Sequence, residues 1–212
     1  MKALFKIVVG LILLLFIAAL YKEISFGHTT HFTDARGDII PGSVARLEQV
    51  ELEGMEQWIL IRGTDTRNPV LLWLHGGPGA AQMPLARHFN GELEDDFIVV
   101  HWDQRGAGKS NPPGFDETTM YLERYVADTL ELTLYLKELL QKDKIYLLGH
   151  SWGSQLGLRV VEEAPHLYHA YIGVSQWVDP LSSQNVPDAG LFAVAITYEL
   201  TGRLSLIWLV AA

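Results

Sequence analysis

Gly149-His150-Ser151-Trp152-Gly153 sets one serine between two glycines at a Gly-x-Ser-x-Gly spacing. A serine hydroxyl on such a turn can attack a carbonyl carbon. The turn must be tight enough to present the hydroxyl, so its flanking positions leave no room for side chains. Gly149 and Gly153 meet that need, and Ser151 is the candidate nucleophile. Attack on a carbonyl creates an oxyanion, which needs hydrogen-bond donors aimed at it. The backbone N–H of Trp152, at the start of the helix expected next, is one candidate. A second should come from another loop at the same edge. His75-Gly76-Gly77-Pro78-Gly79 offers glycines that let the backbone approach a substrate closely.

Both loops need rigid elements behind them. Val70 to Leu74 is a continuous apolar run leading into His75, as expected of a strand buried on both faces. Ile145 to Leu148 is a similar run leading into Gly149, followed by a helix through Ala164. Phe97 to Trp102 and Ala170 to Val174 read as further buried strands, and Thr118 to Leu140 has helical periodicity. Val44 to Leu52 alternates apolar and polar residues, with Trp58 to Ile61 following after Gly54, which suggests an antiparallel opening pair. Strands alternating with helices predict an α/β class, with a mainly parallel sheet and helices on both faces.

Three blocks in this order carry a family resemblance: Leu74 to Gly79, Trp102-Asp103-Gln104-Arg105-Gly106-Ala107-Gly108-Lys109-Ser110, and Gly149 to Ser154. Together they resemble the proline iminopeptidase (prolyl aminopeptidase) branch of the α/β-hydrolase superfamily. The resemblance implies a serine hydrolase that releases an N-terminal, proline-like residue from short peptides through an acyl-enzyme on Ser151. It implies Gly77 and Trp152 as oxyanion donors. It gives His75, Gly76, Pro78, Gly79, Gly149 and Gly153 a structural role in the site loops. Asp103 and Arg105 should stabilise the loop beside the site, pairing with backbone and with each other. Related hydrolases acting on esters, lactones or other amides share these blocks, and a non-catalytic fragment or binding module is a reading of another class.

The sequence departs from the pattern after Ser151. In this fold the chain order is serine, acid, then histidine, yet only His166 and His169 follow, one crossover downstream. Neither is expected to reach the serine. Asp179 is a candidate displaced acid, while the usual acid and base are expected beyond residue 212. Residues 181–212 read as the start of a helical cap and 44–180 as the N-terminal part of the hydrolase core, cut after about the sixth strand. The chain alone is then an incomplete, inactive fragment.

At the other end, Lys2 and Lys6 precede an unbroken apolar run from Ile7 to Leu20. Residues 1–6 read as a short cytoplasmic N-terminus, 7–21 as a single-pass membrane anchor and 22–43 as a linker, with the hydrolase domain outside the cytoplasm. A cleaved signal peptide, giving a secreted protein, is the rival reading. The 212 residues carry a formal net charge of −9 with no cysteine, which excludes disulfides and cysteine nucleophiles. No cluster of Lys and Arg suggests a nucleic-acid partner. No His and carboxylate spacing suggests a metal, and no cofactor is expected.

Overall fold

The hairpin expected at the start of the core forms because two residues separate its strands. β1 (Val44–Leu52) and β2 (Met55–Gly63) pair antiparallel, with Leu52 opposite Met55. Glu53 and Gly54 between them both have positive φ, 47° and 74°. That is the type I′ geometry, whose twist matches the twist of the flanking strands. The computed structural model describes residues 2–176, 192–199 and 204–211.

Beyond the hairpin, strands and helices alternate. β3 (Val70–Leu74), α2 (Met83–Asn90), β4 (Ile98–Asp103), α3 (Leu122–Leu139), β5 (Ile145–His150), α4 (Trp152–Glu163) and β6 (Tyr168–Val174) follow in order. Two later strands, β7 (Phe192–Glu199) and β8 (Leu204–Ala211), extend the same sheet. The spatial order is β1-β2-β4-β3-β5-β6-β7-β8. The neighbours β4, β3, β5 and β6 are parallel, and every pairing outside them is antiparallel. The sheet is therefore mixed rather than mainly parallel. Of residues 181–212, read as the start of a helical cap, the described pieces are these two strands; Asp179 lies outside the described residues.

Alternation along each strand separates two faces. Ile59, Ile61, Val70, Leu72, Leu74, Ile98, Val100 and Leu147 point to one face, where Tyr125, Leu132 and Leu136 of α3 and Leu156 and Val160 of α4 cover them. Each fully buried Leu or Ile there contributes roughly 1.5–3 kcal/mol relative to leaving it exposed. On the other face Trp58 and Leu60 pack with Met83 of α2. Helices thus cover both faces, as expected. The short α2, opened by Pro84 in its first turn, has too brief a pattern to be read from sequence. The expected helix from Thr118 starts only at Leu122. Before it, a tight turn is capped by Asp116, which accepts the Thr118 N–H at 3.0 Å.

The N-terminal residues form a separate compact unit, 1–30, containing α1 (Lys2–Phe26). Here the structure corrects the expectation. Among the described residues no helix is long and apolar enough to cross a membrane. The side chains described in the apolar run, Ile7 to Ile17, cover a rise of about 16 Å, against the roughly 30 Å of a hydrocarbon core. The single-pass anchor at 7–21, the membrane as partner, and the placement of termini on opposite sides of a bilayer are therefore not supported.

Candidate active site

Ser151 sits where β5 ends and α4 begins, in a backbone conformation that side-chain-bearing residues rarely adopt. Its φ is 53° and its ψ is −118°. A non-glycine residue there is strained, and such strain persists only where the surroundings enforce it. The enforcement is visible. Ser151 N–H donates to the Val174 carbonyl at 2.9 Å, and Ser154 N–H donates back to the Ser151 carbonyl at 2.9 Å. A Cβ on Gly149 would run into the backbone of Gly153, and one on Gly153 into the backbone carbonyls of Leu74 and His75. Both glycines are thus required by backbone, which cannot swing aside as a side chain can. Gly153→Ala should cost at least about 1–3 kcal/mol through overpacking, read as a lowered urea midpoint. A midpoint equal to that of the wild type would show the turn to be looser than described.

The glycine loop after β3 lies against this turn. A Cβ on Gly76 would come within 3.1 Å of Ser151 Cβ and 3.3 Å of His150 Nδ1. Gly77 has φ 121°, and a Cβ there would meet the amide nitrogens of Gly79 and Ala80 at 2.7 Å. The structure thus brings Ser151, His150 and Gly76 together, with Gly77 next in the loop. Trp152 is the first residue of α4, so its N–H is among the donors that an α-helix leaves without an internal acceptor.

His75 is committed elsewhere. Its Nδ1 donates to the Gly76 carbonyl at 2.8 Å, which fixes the tautomer and leaves Nε2 to accept the Gln104 N–H at 3.1 Å. The Gln104 side-chain amide donates to the His75 carbonyl at 3.1 Å. Burial holds the imidazole below its ordinary pKa and so keeps it neutral. His75 and Gln104 therefore staple the loop after β3 to the loop after β4. Gln104 stands within one of the family blocks, but its role is invisible in sequence because its work is done through backbone contacts that only the fold supplies.

Asp103 and Arg105 each have a partner, but not one another. Asp103 accepts the backbone N–H of Lys109 at 2.8 Å, and burial raises its carboxyl above the usual range. Its carboxylate also fills the space that a Cβ on Gly108 would take. Arg105 does not pair with Asp103. It reaches the other way, donating from Nη2 and Nε to the two oxygens of Asp128 in α3 at 2.7 and 2.8 Å. β4 ends at Asp103, so Arg105 lies in the loop beyond it and is not held on the strand face that Asp103 occupies. Tyr125, one turn before Asp128, donates to the Arg105 carbonyl at 3.0 Å and stands edge-on to Trp152, with centroids 5.9 Å apart. An acid at position 128, amid the apolar stripe of α3, was the available signal for this buried pair.

Among the described residues no histidine bonds to Ser151. His150 is held by the Gln82 side-chain amide, which donates to its Nδ1 at 3.2 Å. His169 opens β6 one residue after Tyr168, which pairs with Ile145, whereas His150 pairs with Val174. Five residues of strand, about 16 Å, therefore separate His169 from the level of the serine. His166 lies further back still, in the turn before β6. His101 is buried in β4 against Trp73, with ring centroids 5.5 Å apart. Among the described residues the elbow and the glycine loop laid against it are formed with no histidine placed to act as base. A cavity of about 210 Å³ beside His150 is lined by Trp73, Gln82, Leu85, Phe89 and Asn90.

The edge of the sheet thus carries a serine on a strained turn after a parallel strand, with a glycine loop from the neighbouring strand laid against it. Residues 69–196 match the family model described as "alpha/beta hydrolase fold", and the chain belongs to that family. It is 41% identical over 143 residues to a protein of Bacillus subtilis (strain 168) named "Probable aminopeptidase YbaC", covering 68% of this chain and 45% of that one. It is 38% identical over 88 residues to a proline iminopeptidase of Heyndrickxia coagulans, covering 42% of this chain and 28% of that one. Among solved structures, a proline iminopeptidase-related protein from Thermus thermophilus superposes with a TM-score of 0.55 at 29% identity, over 64% of this chain and 46% of that one. These relatives bear out the resemblance to the proline iminopeptidase branch. The chain spans less than half the length of each of them.

Proposed function

We propose that this chain is the nucleophile-bearing part of a proline iminopeptidase-like serine hydrolase, which releases an N-terminal, proline-like residue from a short peptide. The observation that carries the reading is Ser151 at φ 53° between β5 and α4, with Gly76 packed against it. In the reaction Ser151 Oγ attacks the carbonyl of the first residue and gives its proton to a base. The developing oxyanion takes hydrogen bonds from the backbone N–H groups of Trp152 and Gly77. The peptide bond breaks, the amine leaves with the proton, and water then hydrolyses the ester on Ser151 in the same way. The acid and base come from outside the described residues.

The chain by itself should therefore be inert. In a serine protease stripped of its triad members, loss of the base alone cost on the order of a millionfold in turnover. The 212-residue chain should release no chromophore from prolyl amides above background. Joined to the C-terminal part of the Bacillus subtilis relative, it should gain aminopeptidase activity and react with a fluorophosphonate probe. Ser151→Ala should abolish both. Labelling that survives this substitution would remove Ser151 from its role, and turnover by the chain alone would reveal a base within it.

A further inference from the structure

Between α3 and α4 lies an open groove of about 820 Å³. Its floor is a stripe on α3 at four-residue spacing: Leu122, Val126, Leu130 and Leu134, with the small Ala127 beside it. Leu134 is 54% exposed, and Leu122 and Leu130 are partly so. Twelve residues of helix make this stripe about 18 Å long, or just over three turns. Its rim is acidic. Glu123 and Glu131 rise from α3, Glu162 and Glu163 from α4, and Glu53 from the β1–β2 turn. One lining cation, Arg159, answers them, and it is already paired with Glu162. Glu53 pairs with Arg124 and Glu131 accepts the Glu53 N–H. Glu123 and Glu163 have no ion pair or hydrogen bond among the described residues.

We infer that this groove docks a basic amphipathic helix from a partner protein, its apolar stripe on the α3 leucines and its Lys or Arg flanks against the glutamate rim. The helix is chosen over an extended peptide because the groove is walled by two α-helices. Their backbone groups are bonded internally, so no free strand edge is offered, and recognition rests on side chains at helical spacing. The sign of the partner's charge follows from the rim: an acidic segment would be repelled, and a neutral one would leave the carboxylates unanswered. This inference does not depend on Ser151.

The test is a titration of the full 212-residue chain with a synthetic helical peptide of about 15 residues, long enough to span the stripe. The peptide carries Leu on one face and Lys on its flanks. A second peptide replaces each Lys with Glu, and a third keeps Lys but replaces Leu with Gln. The Leu/Lys peptide should bind, with affinity falling as salt shortens the Debye length from about 10 Å at 0.1 M to about 3 Å at 1 M. The other two should bind at least about tenfold more weakly. Leu134→Asn, at an exposed position, should weaken the Leu/Lys peptide to a similar degree. The pair Glu123→Lys and Glu163→Lys should reverse the preference in favour of the Leu/Glu peptide. Circular dichroism of each variant confirms that the fold is kept. Binding that ignores Leu134→Asn or the charge reversal overturns the proposal, as does no binding by the wild type. So does self-association of the chain abolished by Leu134→Asn, which would make a second copy the occupant.

Discussion

Asp128→Ala should lower the free energy of unfolding by about 3–5 kcal/mol, the typical cost of leaving one member of a buried ion pair alone. Asp128 is fully buried and Arg105 is 4% exposed, so neither charge can turn to water when its partner is removed. The guanidinium would keep only the Leu52 carbonyl at 3.3 Å and the Met55 sulfur at 3.4 Å. Against a total stability of about 5–15 kcal/mol, that loss is large. Urea denaturation measures it. Replacing both members, Arg105→Met with Asp128→Leu, should recover most of the loss, because desolvation of two charges is avoided as their attraction is given up. A single variant within about 1 kcal/mol of wild type would mean the pair is hydrated in solution. The structural consequence reaches the site, since Arg105 anchors the loop whose Gln104 holds His75.

The second large effect is on pH. His101 is buried in β4, and desolvation alone pushes its pKa down to about 4. In the unfolded chain it should titrate near 6.5. The folded state prefers the neutral ring, so the contribution is fully present above about pH 6.5 and is lost as pH falls toward 4. The difference of roughly 2.5 units corresponds to about 3 kcal/mol. His75, also lowered by burial, acts in the same direction. Asp103, raised by burial, opposes them in the lower part of that range. Urea midpoints should therefore drop between pH 7 and 5, before most carboxylates titrate. His101→Phe should remove much of the slope. A midpoint flat over that range in the wild type would place His101 in contact with water.

Strand positions and the elbow were legible in the sequence because they rest on local rules. Val44–Leu52 and Val70–Leu74 form strands at the bounds read from alternation and from an unbroken apolar run. Ser151 could be placed on a strand-to-helix turn because Gly149 and Gly153 are required by contacts within that turn and with the adjoining strand end. Such requirements leave marks at fixed spacing. The same is true of the glycine loop at 75–79, whose Gly77 conformation excludes other residues.

Other features depended on which elements meet. Arg105 was expected to pair with Asp103, two residues away, and only the packing of α3 across the strands brings Asp128 to it instead. His75 was expected to order its loop, but the partner that occupies its Nε2, Gln104 from the neighbouring loop, could be found only in the fold. The distance of His169 from Ser151 follows from β6 lying parallel to β5, which carries the start of one strand to the edge opposite the end of the other. The apolar run near the N-terminus suggested a membrane span by composition, and the described helix does not provide one. By itself the sequence determined the family, the strand-to-helix turn that holds Ser151 and the loops that must lack side chains, because each is enforced over a few neighbouring residues. The tertiary structure alone decided which charges pair, which histidine is spent and what the outer faces of α3 and α4 present, because those depend on long-range packing that no local spacing encodes.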